Sequence, residues 1–166
     1  MKNKLVLSII LNVILIITLT VTFKINETKV YSFSGENDYF VIEHGEIIKN
    51  RKFEKISYSN LEIKNDVPNG VLEYKMELYF INKNEKRVVN MFAGKINPST
   101  GASLTKGHIL QNLDRIQISA SGNVHRKLQD VSNKNIINNF YFEITYITYD
   151  GQEITQTLKL DVVETK

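Results

Sequence analysis

The residues able to carry chemistry are few and scattered through the 166 residues of this chain. Three histidines, His44, His108 and His125, stand far apart. A metal site built on one element needs ligands two apart on a strand or four apart on a helix, and no histidine pair has either spacing. There is no cysteine, which removes a thiolate nucleophile, a thiolate metal site, a disulfide scaffold and a lipidated cysteine anchor. No serine sits in a G-x-S-x-G elbow. Asp38, Asp66, Asp114, Asp130 and Asp150 each stand alone, whereas a calcium loop clusters its oxygen ligands. Glycoside hydrolysis needs two carboxylates at a set separation. Glu73 and Glu77 read instead as solvated strand positions, and no Trp is present to form a sugar platform. Glycine-rich phosphate loops are absent as well. The sequence therefore reads as a non-enzyme, with no catalytic residue, no metal ligand and no cofactor.

Charge narrows the partners. The chain has 21 Lys+Arg against 18 Asp+Glu, and without Lys2 and Lys4 the remainder is nearly neutral. Nucleic acid needs a concentrated basic face, so it is excluded as a partner. Hydrophobic residues make up 42% and charged residues 23%, a globular composition.

One segment stands apart. Lys2 and Lys4 precede an apolar run, residues 5–23, in which 14 of 19 positions are Leu, Ile, Val or Phe. As a helix the run spans roughly 28 Å, about one hydrocarbon core. A cleaved signal peptide would end in small residues. Here the end reads Leu19-Thr20-Val21-Thr22-Phe23-Lys24. The run is thus read as an uncleaved anchor occupying residues 1–24, with secretion after cleavage as the alternative. Lys2, Lys4 and the α-amino group outweigh Lys24 and Lys29, which puts the N-terminus inside and the rest of the chain outside. Residues 25–33 form a short juxtamembrane linker with a possible first strand, and residues 34–166 form the outer domain.

That outer domain alternates with period two. Residues 71–81 place Leu72, Tyr74, Met76, Leu78 and Phe80 on one face. Asn82-Lys83-Asn84-Glu85 then turns the chain into a strand over 87–93. A strand over 114–121 shares Ile116, Ile118 and Ala120. Phe140, Phe142, Ile144 and Tyr146 face Ile154, Leu158, Leu160 and Val162 only if the loop between them is Tyr149-Asp150-Gly151, because a one-residue slip would flip every side chain. That loop predicts Phe142 opposite Leu158, Tyr146 opposite Ile154 and a left-handed Gly151. Upstream, residues 39–43 and 46–49 flank a tight turn at His44-Gly45, and residues 56–64 make a strand bulged near Ser59-Asn60. Gly35-Glu36-Asn37-Asp38 has the look of a cation or sugar loop but reads as a turn with an Asx contact before the strand at Tyr39. Residues 97–112 and 122–135 read as long loops, the first with a helical turn near 104–110. Eight or nine antiparallel strands are too many for one flat sheet with a single wet face. The expected fold is all-β, an immunoglobulin-like β-sandwich preceded by one transmembrane helix.

The strand faces opposite this core carry Val71, Tyr79 and Ile81, and Tyr141, Ile147 and Tyr149. Outward apolar residues mark a partner surface unless the protein covers them itself. Tyr141, Ile147, Tyr149, Tyr79 and Ile81 are the candidate partner surface.

A resemblance joins these readings. Ser34-Gly35-Glu36-Asn37-Asp38-Tyr39, Gly45 with Ile47-Ile48, and Asn60-Leu61-Glu62-Ile63 resemble segments of uncharacterised single-anchor envelope proteins of low-GC Gram-positive bacteria. The chain departs from them at His44-Gly45, where they carry Asn-Gly, and at Tyr58-Ser59, where they carry Gly-Gly. The resemblance implies a β-rich extracytoplasmic domain on a membrane anchor, and it carries no activity. The expected function is a non-catalytic membrane-anchored module contacting an envelope protein or its own copy. The alternatives are a binding module for wall glycan or a small ligand, and an envelope hydrolase.

Overall fold

The first 25 residues and the remainder fold by different rules, as the change in periodicity requires. The computed structural model describes residues 2–25, 27–50, 53–57, 60–95, 104–110, 118–121, 128 and 131–165. A single helix, α1 (Lys2–Ile25), comes first. The window Val6–Phe23 has a mean hydropathy of 2.6, and none of it is buried against the rest of the protein.

Nine strands follow among the described residues: β1 (Lys29–Glu36), β2 (Phe40–Lys49), β3 (Phe53–Ser57), β4 (Asn60–Ile63), β5 (Val71–Asn82), β6 (Glu85–Lys95), β7 (Ile118–Ser121), β8 (Phe140–Thr148) and β9 (Glu153–Glu164). Two short helices, α2 (Lys106–Leu110) and α3 (Asn133–Asn138), interrupt them. Eight strands follow one path, β6-β5-β8-β9-β1-β2-β3-β7, and β4 pairs beside them with β2. All of the pairings are antiparallel.

The two-sheet, immunoglobulin-like sandwich is not confirmed. β1 is hydrogen-bonded to β9 on one side and β2 on the other, so one sheet runs through. It closes a core by curling. In a flat sheet β2 and β8, three strands apart, would lie about 14 Å from one another. Here the Phe40 and Phe142 rings meet edge to face with centroids 5.4 Å apart. Phe33 on β1 reaches Phe140 on β8 in the same way, at 5.2 Å. The result is a half-barrel with its large side chains on the concave side. Leu104, Ile109, Leu128, Val131 and Ile136 fill the opening and belong to the same core. Part of the expected 122–135 loop is thus the start of α3, capped by the Ser132 hydroxyl, which accepts from the Asn135 N–H.

β2 carries a local irregularity. His44-Gly45 is not a turn; the strand continues through it. Phe33 pairs with Gly45 and Gly35 with Ile42, so Glu43 and His44 together oppose Ser34. This is a β-bulge, and His44 takes a left-handed backbone with φ 52°. Below it β2 pairs with β4, and above it with β3. The separate turn expected before Tyr39 is present, and in it the Asn37 carboxamide oxygen accepts from the N–H groups of Tyr39 and Phe40, both at 2.8 Å. Gly45 is required by space: a Cβ there would lie 2.2 Å from the Phe33 ring.

A second bulge corrects the β5 face. The register shifts between Val71 and Glu73, which brings Val71 into the core, 3% exposed, and leaves Leu72 half-buried. The C-terminal hairpin forms as its loop chemistry dictates. Phe142 pairs with Leu158 and Tyr146 with Ile154, and Gly151 has φ 82°. The expected strand over 56–64 is present as β3 and β4, with residues 58–59 outside the described residues. Residues 114–117 and 97–101 also lie outside them.

Gly45→Ala is expected to cost about 1–3 kcal/mol by overpacking against Phe33. Phe33→Leu vacates that space, so the double variant should lose less than the two single losses combined. Urea denaturation of the four chains measures this, and strictly additive losses would place the strain elsewhere.

Candidate functional site

The convex face of the sheet carries the residues singled out by their outward alternation. On β5 and β8, Tyr79 pairs with Tyr141, Glu77 with Glu143, and Glu73 with Ile147. Two carboxylates placed directly opposite one another repel. The remedy comes from β6. Asn82, Lys83, Asn84 and Glu85 form a two-residue hairpin whose central residues both have positive φ, 51° and 64°. That tight turn brings Lys86 back over the face. Its ammonium donates to Glu77 Oε2 at 2.6 Å and to Glu143 Oε1 at 2.5 Å. It also lies 4.1 Å from the centroid of the Tyr79 ring, a cation–π contact.

Glu143 collects further partners. The Tyr79 hydroxyl donates to its Oε2 at 3.2 Å and the Thr157 hydroxyl at 3.1 Å. Burial works against the charged carboxylate, yet the Lys86 ammonium and the two hydroxyls outweigh it and hold its pKa below the usual carboxylate value. Tyr79 is pushed up to about 12, first by burial and then by the Glu143 charge.

The expected apolar surface is therefore divided. Tyr79 is only 6% exposed, stacked on Tyr141 with centroids 5.3 Å apart and roofed by Lys86. Tyr141, Ile81 and Ile147 are half-buried. Tyr149 is open to solvent at 55% exposure, its N–H bonded to the Gly70 carbonyl. Eight residues, or about 27 Å of strand, separate Tyr149 from Tyr141. Val71 has left this face for the core. Sequence reasoning missed Lys86, Glu143 and Thr157. The available signal was two outward glutamates on strands that share a face, followed by a lysine just past a tight turn.

Two shallow grooves flank the β2 bulge. One, of about 370 Å³, is lined by Val30, Ser32, His44, Glu46, Ser57 and Thr165. Ser32 pairs with Glu46 and Glu46 with Ser57, so a polar row crosses three strands. No hydrogen bond among the described residues links His44 to Ser32, Glu46 or Ser57, as a base and nucleophile would require. The other groove, of about 260 Å³, is acidic, with Glu36, Glu43 and Asp161 on its walls. Lys64 pairs with Glu36 at 2.6 Å. Among the described residues no three of His, Asp and Glu converge as metal ligands. His108 lies in α2, and His125 lies outside the described residues.

No known protein family, curated protein or solved structure matches this chain.

Two measurements check the convex face. Tyr141→Ser should lower stability by about 1 kcal/mol beyond its lost area, because it unstacks Tyr79. Tyr149→Ser should change it by less than about 0.5 kcal/mol. The pH profile checks the carboxylate. A depressed pKa makes the Glu143 contribution fully present above 4.5 and lost as pH falls through the folded value. Glu143→Gln should lower neutral-pH stability by about 1 kcal/mol, a figure reduced by the partial exposure of Lys86. It should also flatten the acid limb of stability against pH.

Proposed function

We propose that this chain is a membrane-anchored, non-catalytic β-module on the outer side of a cell membrane, of the kind found in low-GC Gram-positive envelopes. It contacts another envelope protein or its own copy. The observation that carries this reading is α1. Its apolar side chains are exposed on every side, from 49% at Val21 to 72% at Phe23. A helix apolar all round needs a nonpolar solvent, and the β-domain supplies none. Thr18, Thr20 and Thr22 support the same reading, since their hydroxyls bond back to the carbonyls of Ile14, Ile16 and Thr18 at 2.7–2.8 Å. In hydrocarbon, polar groups must be satisfied inside the helix. Three residues, 26–28, join α1 to β1. At about 3.3–3.6 Å each they reach only some 10 Å, so the domain works close to the lipid surface.

The non-catalytic part rests on the convex face and the grooves. There Lys86 and Lys75 together balance Glu77 and Glu143, and among the described residues no hydrogen bond joins His44 to a nucleophile. A second reading, binding of a wall glycan or another small polar ligand, draws on the 370 Å³ groove at Ser32, His44 and Glu46.

Location and orientation are checked by protease treatment of intact cells carrying a C-terminally tagged chain. The tag is expected to be lost from intact cells while the chain pellets with membranes. A membrane-bound chain whose tag resists protease until the cells are lysed would reverse the orientation.

A further inference from the structure

The polar side chains of the apolar run fall into two groups. The three threonines are satisfied by their own helix. Ser8 and Asn12 are not: both are exposed, and neither side chain makes a hydrogen bond among the described residues. They stand four residues apart, on one face. Asn12 lies two to three residues from the middle of Val6–Phe23, about 4 Å from the bilayer midplane. A carboxamide at that depth is too short to reach the headgroups, about 15 Å from the midplane. It needs a partner inside the hydrocarbon.

We propose that α1 associates with α1 of a second copy of this chain, through Asn12. This rests on the membrane-spanning reading of α1. The occupant follows from symmetry and chemistry. A second copy enters the bilayer with the same orientation, so its Asn12 sits at the same depth. The carboxamide is both donor and acceptor, so two of them satisfy one another reciprocally. The spacing also fits a parallel pair. Ser8, Asn12, Leu15 and Leu19 recur at steps of four, three and four, the seam of a left-handed helix pair with Asn at a central position. Ser8 is small enough to let the backbones approach. Ile14 and Ile17 lie on the opposite side.

The absence of cysteine makes the test clean, because an introduced cysteine is the sole thiol. Full-length chains carrying Leu15→Cys or Leu19→Cys are expected to form disulfide dimers in oxidised membranes. Chains carrying Ile14→Cys or Ile17→Cys are not. Asn12→Leu in the Leu15→Cys chain should weaken association about 3- to 30-fold, and Asn12→Gln should retain it. Equal cross-linking on both sides of the helix, or an Asn12→Leu chain that dimerises undiminished, would overturn the proposal. So would a carbonate-resistant chain that shows no dimer. A chain released by carbonate extraction would overturn the anchor reading, and the association with it.

Discussion

The ring of Phe33 occupies the space where any residue but glycine at position 45 would put its Cβ. We read the closure of the sheet as depending on that contact, which pairs β1 with β2 at the bulge. It lies beside the bulge at Glu43 and His44, where β2 bends and changes partner from β4 to β3. Phe40 meets Phe142 and Phe33 meets Phe140 across strands that a flat sheet would hold apart. Burying these four rings contributes to the hydrophobic drive of the larger core, and their edge-to-face geometry adds to it. A single sheet can thus enclose a core because one of its strands is kinked and its inner surface is aromatic.

Local chemistry was legible in the sequence, and long-range closure was not. The Tyr149-Asp150-Gly151 loop could be read because facing apolar sets leave only one register. The turn over Gly35-Glu36-Asn37-Asp38 could be read because an Asx side chain there can bond the N–H groups that follow; that Asn37 does so, and that its amide also donates to the Thr157 carbonyl, depends on β9. The apolar run could be read from length and composition alone. His44-Gly45 has the composition of a turn, and nothing nearby distinguishes a turn from a bulge. The difference lies in Phe33, on another strand, whose ring needs the missing Cβ. The strand count pointed to two sheets because a flat sheet of that width would leave one face wet, and curling removes that objection. Tyr79 alternates outward as expected, but its cover, Lys86, arrives from a neighbouring strand. Val71 moved to the core through a bulge that shifts the register between Val71 and Glu73.

These features bear on function through what they leave available. The convex face spends its charges internally, with Lys86 bridging Glu77 and Glu143. With Lys75 also beside Glu77, two ammoniums face two carboxylates and the cluster is nearly neutral. Among the described residues the open positions include Tyr149 at the hairpin tip, Ser32 and His44 beside the β2 bulge, Met91 on β6, and α1, all of whose apolar residues from Val6 to Phe23 are exposed. The last has the largest unmet demand, since no part of the domain covers it. In the proposed reading the helix sets location, and the half-barrel presents a surface a few residues above the bilayer.

The direct measurement of this account is the intact mass of the chain recovered from cells, taken separately from membranes and medium. A full-length chain of 19.1 kDa, retaining residues 5–23 and confined to membranes, is the expected result. A shorter chain beginning after the apolar run and found in the medium would contradict it, since the helix would then be a discarded leader.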